Sequence, residues 1–342
     1  MWFSISRRIK YIVSVYKTLN FKRVVNYLKL QFSFCVTKIV GKVWHCGKPY
    51  ALSIEPSGIC NLKCPECPVG ANVLNRVGGI MELEIFKKII NESQPYVCWL
   101  NLYFQGEPFL NPQLFEMIKE TKKHKVFSII STNGHFLDAE NCSKIIDFAL
   151  PEIIISVDGI SDTSYSKYRI GGDLQKVKEG ITRLIEKRDK ENSNFPFVTI
   201  QFLVFKHNEN EIADIIRWCK KNSVDRLILK SAQMNDFGAG NVELPTIKKY
   251  SRYKRDATGK LIMKKRLLNQ CFKQWSSAVF SHNGEMTICC FDKKMEHSIG
   301  NITNQTMQQL WKSEKIKNLR NIIYKDKKII EICNNCPEGR TP

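Results

Sequence analysis

The segment Gly58–Gly70, GICNLKCPECPVG, places thiols at Cys60, Cys64 and Cys67 in a loop-like run with glycine at each end. Three thiolates are soft ligands that suit an iron–sulfur cluster or zinc. On a cube-shaped cluster of four irons they leave one iron open to an outside ligand, as a catalytic metal site keeps an open position. The competing reading is a zinc site completed elsewhere, for instance by His45 or Cys46. The spacing alone prefers the cluster.

The wider composition agrees with a reduced, metal-binding setting. The chain has 342 residues and 13 cysteines, an odd number. It shows no secretory signal and no apolar run approaching the ~18 residues that span a bilayer. An intracellular, cytoplasmic location follows, where clustered thiols bind metal rather than pair. Length suggests about two domains. The 43% hydrophobic and 25% charged content is that of a globular protein. The net charge of +20 points to an anionic partner or to a basic solvated surface.

Working outward from the cysteine loop, β-like runs alternate with helix-like runs. The expected strands are Tyr50–Ile54, Cys98–Phe104, Val126–Ser131, Ile153–Val157, Val198–Val204 and Arg226–Leu229. The expected helices lie near Glu82–Ser93, Gln113–Lys123, Asp138–Phe148, Leu174–Lys190 and Glu209–Asn222. Such alternation predicts an α/β chain of βαβ units, with a parallel sheet curled into a partial or complete barrel. Chemistry in these folds sits at the carboxyl ends of the strands, where the cysteine loop falls.

Residues 60–67, CNLKCPEC, after a first strand, resemble the signature of the radical S-adenosylmethionine (radical SAM) superfamily. The resemblance implies a partial (βα)6 TIM-like barrel over residues 48–232. It also implies a [4Fe-4S] cluster on Cys60, Cys64 and Cys67, whose open iron is chelated by S-adenosylmethionine (SAM). Reductive cleavage of SAM then gives methionine and a 5′-deoxyadenosyl radical that abstracts hydrogen from substrate. The residue before the third cysteine, often aromatic in the family, is Glu66. FQGEPFLNP, residues 104–112, is similar to the family's Gly-Gly-Glu-Pro element: Gln105 replaces the first glycine, while Gly106, Glu107 and Pro108 match as contacts of the SAM amino group. It also reads as a turn before a helix, with Asn111 as cap. By the same resemblance Ser131, Asn133 and Ser156, at the ends of later strands, contact SAM. Arg169 pairs with the SAM carboxylate or is a surface arginine. Asp158 caps its loop or faces substrate, Asn208 caps a helix, and His207 has no assigned role.

A second cysteine group, Cys271, Cys289, Cys333 and Cys336, frames the hairpin signal AVFSHNGEMTICC and a closing CNNC. Four thiols close a tetrahedral zinc or a fully ligated cluster. The pattern resembles the auxiliary-cluster domain, SPASM in its long form and twitch in its short form. That implies one auxiliary [4Fe-4S] cluster in a small hairpin-and-helix domain over 271–342. Cys290 is a spare that could replace Cys289. Residues 233–270, with Gly238, Gly240, Pro245 and a basic run, read as a bridging segment.

Residues 1–47 read as basic amphipathic helices, because residues 1–54 hold ten Lys or Arg and no acid. Their apolar positions, Ile5, Ile9, Ile12, Tyr16, Leu19, Phe21, Val24, Leu28 and Phe32, either pack on the following domain, the preferred reading, or dock on an anionic membrane surface or partner. The expected function is therefore a radical SAM enzyme. It acts on a small-molecule or peptide substrate, with an anionic one favoured, and its auxiliary cluster accepts or relays an electron. An external donor such as flavodoxin or ferredoxin supplies electrons, and nucleic acid is not an expected partner. The alternative from another class is a non-enzymatic iron–sulfur electron carrier or a zinc-stabilised binding protein.

Overall fold

Short runs rich in branched and aromatic residues, each followed by a turn and an amphipathic helix, favour parallel pairing through right-handed crossovers. A computed structural model describes residues 1–235 and 243–341. Two N-terminal helices, α1 (Ile5–Tyr16) and α2 (Phe21–Val40), precede six parallel strands. These are β1 (Ala51–Ile54), β2 (Trp99–Asn101), β3 (Phe127–Thr132), β4 (Glu152–Ser156), β5 (Phe197–Val204) and β6 (Arg226–Ser231), paired in sequence order. Between them run α3 (Leu83–Ser93), α4 (Leu114–Lys123), α5 (Ala139–Asp147), α6 (Asp162–Tyr168), α7 (Leu174–Lys190) and α8 (Ile212–Lys221). This is the partial TIM-like barrel. Its outer face packs on the helices through residues such as Leu100, Ile130, Ile153, Val198, Phe86 and Val177 in one buried core. Each such side chain contributes roughly 1.5–3 kcal/mol on burial.

Alternation turns the other residues of each strand into the barrel. At the strand starts Trp99, Phe127, Glu152, Phe197 and Arg226 form a layer, set by registers such as Trp99 beside Phe127 and Glu152 beside Phe197. Tyr11 of α1 stoppers this end. Its ring meets Phe127 and Phe197 edge-on at 5.4 and 5.0 Å, and its hydroxyl donates to Glu152 Oε2 at 2.8 Å. Arg226 pairs with Glu152 and lies over the rings of Trp2 and Tyr11.

One expectation changes: β2 stops at Asn101, because the chain leaves the sheet to make the Gly106 turn. The bridging segment holds a hairpin, in which β7 (Tyr253–Arg255) and β8 (Leu261–Met263) pair antiparallel, turned by Asp256 accepting from the Thr258 and Lys260 N–H groups. Gly238 and Gly240 lie outside the described residues.

The C-terminal hairpin does not stand apart from the barrel. After α9 (Lys273–Ser276), β9 (Ser277–Phe280) pairs in parallel with β1, and β10 (Glu285–Thr287) and β11 (Gly300–Asn301) extend the same sheet antiparallel. β1 thereby has both edges satisfied. α10 (Met307–Trp311) and α11 (Glu314–Asp326) follow. A buried clamp fixes the join. Glu55, just past β1, accepts from Arg76 at 2.8 and 2.6 Å and from the His282 backbone at the hairpin turn. Burial pushes the Glu55 carboxyl up, but bonds from His282 and Arg76 outweigh it and hold the carboxyl below its usual range. Arg76→Ala strands this carboxylate and is expected to cost about 3–5 kcal/mol, measured by denaturant unfolding. The stability that Glu55 supplies is present above its ordinary pKa and is lost as pH falls through the depressed value.

The preferred reading of residues 1–47 is overturned. The apolar stripe of α1 and α2 faces outward: Ile5 is 80%, Phe21 83%, Phe32 61% and Ile39 84% exposed. The polar stripe is buried instead. Arg23 donates to the carbonyls of Thr18, Gln94, His124 and Lys125, tying α2 to the ends of α3 and α4. Asn26 exchanges bonds with Lys48, Ser33 accepts from Trp275 Nε1, and Thr37 pairs with Trp44. On α1, Arg7 and Tyr11 make the inward contacts. These directional bonds, which apolar periodicity does not register, set the rotation of both helices.

Candidate active site

The cysteine loop leaves the end of β1, and its neighbours hold it by backbone contacts. Gly106 has φ +71, and a Cβ there would come within 2.2 Å of Ser57 O and 2.6 Å of Ile59 O, so only glycine fits. The next N–H, of Glu107, donates to Ile59 O at 2.8 Å. The turn after β2 therefore presses directly on the residues leading into Cys60. Pro108 starts a short 3₁₀ turn whose cap is Glu107.

Glu107 is buried and accepts from the Thr132 hydroxyl and the Asn133 N–H, both at 2.8 Å, and from the Phe109 N–H at 3.2 Å. Burial pushes its carboxyl up to about 7 against these bonds. Asn133 donates to Asn61 Oδ1 at 2.8 Å and reaches to 3.9 Å from Cys60 Sγ. Arg169 donates to Asp158 through Nε at 2.7 Å, and its NH1 lies 3.7 Å from Cys64 Sγ. Asp158 caps as well as pairs, accepting from the Leu203 N–H. Asn208 donates to Asp158 O and Leu203 O, holding this turn together. Cys60, Cys64, Glu107, Asn133 and Arg169 thus converge at the strand ends. Ser131 and Ser156 lie on the inner barrel face nearby, Ser156 in register with Gln201. Stacked on Phe205 at 5.4 Å, His207 takes no part in this convergence.

The other cysteines form a second group. Cys271, Cys289, Cys333 and Cys336 line one small, mostly apolar cavity of about 30 Å³, which does not include Cys290. Local turns make a common pattern: Cys60, Cys289 and Cys336 each accept from the N–H two residues on, at 3.4, 3.4 and 3.3 Å. Hydrogen bonds of this kind tune iron–sulfur potentials. Burial pushes the Cys64 and Cys336 thiols up to about 11 and Cys333 up to about 12. Bound iron supplies the positive charge that stabilises such thiolates. Among the described residues no three His, Cys, Asp or Glu side chains converge on a single metal ion. A cubane spreads its thiolates over separate irons, so both donor sets fit that group. His45 and Cys46 do not complete the first set: His45 lies 3.0 Å from Trp275 O, and Cys46 faces Lys29 O.

Glu66, in place of the aromatic residue, ties the two cysteine regions together. It accepts from the Asn235 N–H at 2.6 Å, and Asn335, beside Cys336, donates to Met234 O at 2.9 Å. Sequence reading also missed the polar lining of the barrel. Asn101 donates to Ser53, and Lys230 to Gln201 at 2.5 Å. Their signal was a polar residue at an inward position of an otherwise apolar strand. Lys230 is pushed below its usual range by burial and by Arg226, Lys273 and Arg252. Burial likewise lowers Lys293, against the pull of Cys67, Cys290 and Glu66.

Two family models match the chain: the radical SAM superfamily over residues 54–219, and an iron–sulfur cluster-binding domain, SPASM, over 271–337. The chain belongs to the radical SAM superfamily and carries a SPASM domain. It is 24% identical over 292 residues to the tungsten-containing aldehyde ferredoxin oxidoreductase cofactor-modifying protein of Pyrococcus furiosus, covering 77% of this chain and 81% of that one. It is 30% identical over 176 residues to a probable GTP 3′,8-cyclase of Methanococcus maripaludis, covering 51% of this chain and spanning only about half, 56%, of that protein. SuiB of Streptococcus suis bound to S-adenosylmethionine shares the fold, with TM-score 0.64 at 12% identity, over 90% of this chain and 75% of SuiB. The protein is thus a radical SAM enzyme whose cofactors are SAM and two [4Fe-4S] clusters.

Proposed function

We propose that the enzyme carries out a net two-electron oxidation of an anionic small molecule or peptide. The observation that carries this is that Cys271, Cys289, Cys333 and Cys336 line one small cavity; as four ligands of one cluster they would leave substrate no place on the auxiliary iron. SAM on the first cluster supplies a 5′-deoxyadenosyl radical. Cys60, Cys64 and Cys67 would hold that cluster, Gly106, Glu107 and Pro108 the SAM amino group, and Arg169 its carboxylate. Ser131, Asn133 and Ser156 would orient the rest. Loss of a hydrogen atom from substrate, then of a proton and one electron, completes the oxidation. The electron leaves toward the C-terminal cage, and an external flavodoxin or ferredoxin supplies the electron that starts each turnover. Lys230, bonded to Gln201 at 2.5 Å on the inner barrel face with Arg226, Arg252 and Lys273 acting on it, supports an anionic group on the substrate.

The enzyme is cytoplasmic in this reading, with peripheral membrane contact through residues 1–47. Reconstituted anaerobically with iron and sulfide, then given dithionite and SAM, the protein should bind iron in both cysteine groups and release 5′-deoxyadenosine. Zinc in place of iron, with no product, would sink the enzyme reading. Cell extract separated by anion exchange should stimulate turnover in a fraction retained by the resin. Stimulation confined to the unretained fraction would remove the anionic assignment.

A further inference from the structure

We infer that the outward face of α1 and α2 is a docking surface for an anionic lipid bilayer. This deepens the peripheral contact named above and rests on it, but not on the radical chemistry. The face has two components. The apolar one runs along both helices at helical spacing: Ile5, Ile9 and Ile12 on α1, and Phe21, Leu28 and Phe32 on α2, each between 42% and 83% exposed. The charged one is Arg8, Lys10, Lys17, Lys22, Lys29 and Lys38, all exposed, with no acid anywhere in residues 1–54 to neutralise them.

A surface helix of a globular protein ordinarily turns its apolar stripe to the core. Here Arg23, Asn26, Ser33, Thr37, Arg7 and Tyr11 hold the opposite rotation through directional bonds to the barrel and to the C-terminal region. The outward apolar face is therefore built in. At about 1.5 Å per residue the helices are roughly 18 and 30 Å long, enough for an extended footprint. No helix among the described residues is long and apolar enough to cross a membrane. An apolar stripe flanked by Lys and Arg and bearing aromatic rings is the pattern of a helix lying in the lipid interface. The charge complementarity selects the occupant, because juxtamembrane cations bind anionic leaflets and a neutral protein surface would leave them uncompensated. The face also continues into an apolar cavity of about 660 Å³ beside Ile9 and Val13, with Lys10, Lys17, Lys122 and Lys125 among its lining.

The test uses the full, cluster-loaded chain with vesicles of phosphatidylcholine alone or containing phosphatidylglycerol. Flotation should recover the protein with the anionic vesicles at least about tenfold more efficiently than with the neutral ones, and high salt should reduce this. The triple variant Phe21→Ser/Leu28→Ser/Phe32→Ser changes only exposed side chains. It should keep the wild-type circular dichroism and thermal midpoint yet lose vesicle binding. Equal binding by the folded triple variant, no wild-type binding to anionic vesicles, or a dimer that the triple variant dissolves would each overturn the inference. 5′-Deoxyadenosine formation without vesicles, by wild type and variant alike, reports on the radical reading separately.

Discussion

Cys64→Ala protein, reconstituted with iron and sulfide, is expected to form 5′-deoxyadenosine at least about 10³-fold more slowly than wild type, because in the proposed site the cluster that reduces SAM would lose a ligand. Cys64 is the buried member of the three-thiol loop and the one that Arg169 approaches. About half the iron should remain, in the C-terminal cage. Cys333→Ala should give the converse: SAM cleavage persists, while substrate oxidation fails for want of an electron acceptor. Iron analysis, the electron paramagnetic resonance of the reduced protein and 5′-deoxyadenosine quantification separate the two outcomes. Equal loss of SAM cleavage in both variants would contradict the division of labour between the cysteine groups.

Affinity for SAM is expected to fall as pH drops below about 7, by up to about tenfold per unit. The cause is Glu107, whose carboxyl is pushed up to about 7 by burial, against the Asn133, Thr132 and Phe109 bonds and the charge of Arg169. In the proposed SAM site the carboxylate would accept from the SAM amino group above that pH, and the neutral acid below it would accept more weakly. Stability runs the other way. A raised carboxyl binds its proton more tightly in the folded state, so the group favours folding most at low pH, and that contribution disappears as pH rises through about 7. Glu107→Gln mimics the neutral acid and should bind SAM about 10–100-fold more weakly at pH 8, with the pH dependence abolished, since a hydrogen bond to a charged group is worth roughly 1.5–3 kcal/mol. Equilibrium dialysis of the cluster-loaded protein from pH 6 to 9 measures both effects. A flat wild-type profile would remove Glu107 from the SAM site.

The sequence carried the barrel well, because its strands are short apolar runs whose crossovers allow few topologies. Leu174–Lys190 appears as expected, and Glu209–Asn222 begins as a 3₁₀ turn before α8. The cysteine groups were legible for a related reason: thiols, unlike most side chains, disclose their chemistry by spacing. What escaped was non-local. Nothing in AVFSHNGEMTICC announces that β9 will lie against β1, since that pairing joins residues more than two hundred positions apart. The hairpin β7–β8 hid in a cation-rich run, although Asp256 and Gly259 mark its turn. The rotation of α2 was misjudged because apolar periodicity identifies a stripe but not its direction. Arg23 and Asn26 decided that, through carbonyls contributed by distant turns.

The stopper of Tyr11, Glu152 and Arg226 at the strand starts has a kinetic consequence. It closes the strand-start end, so ligands approach from the strand ends and from beside β6, where the sheet does not close. If SAM and substrate share that approach, the one seated deeper is exchanged only after the outer one has gone. Steady-state turnover should then follow a compulsory order through a ternary complex, with product inhibition by the last compound to depart competitive against the first to arrive.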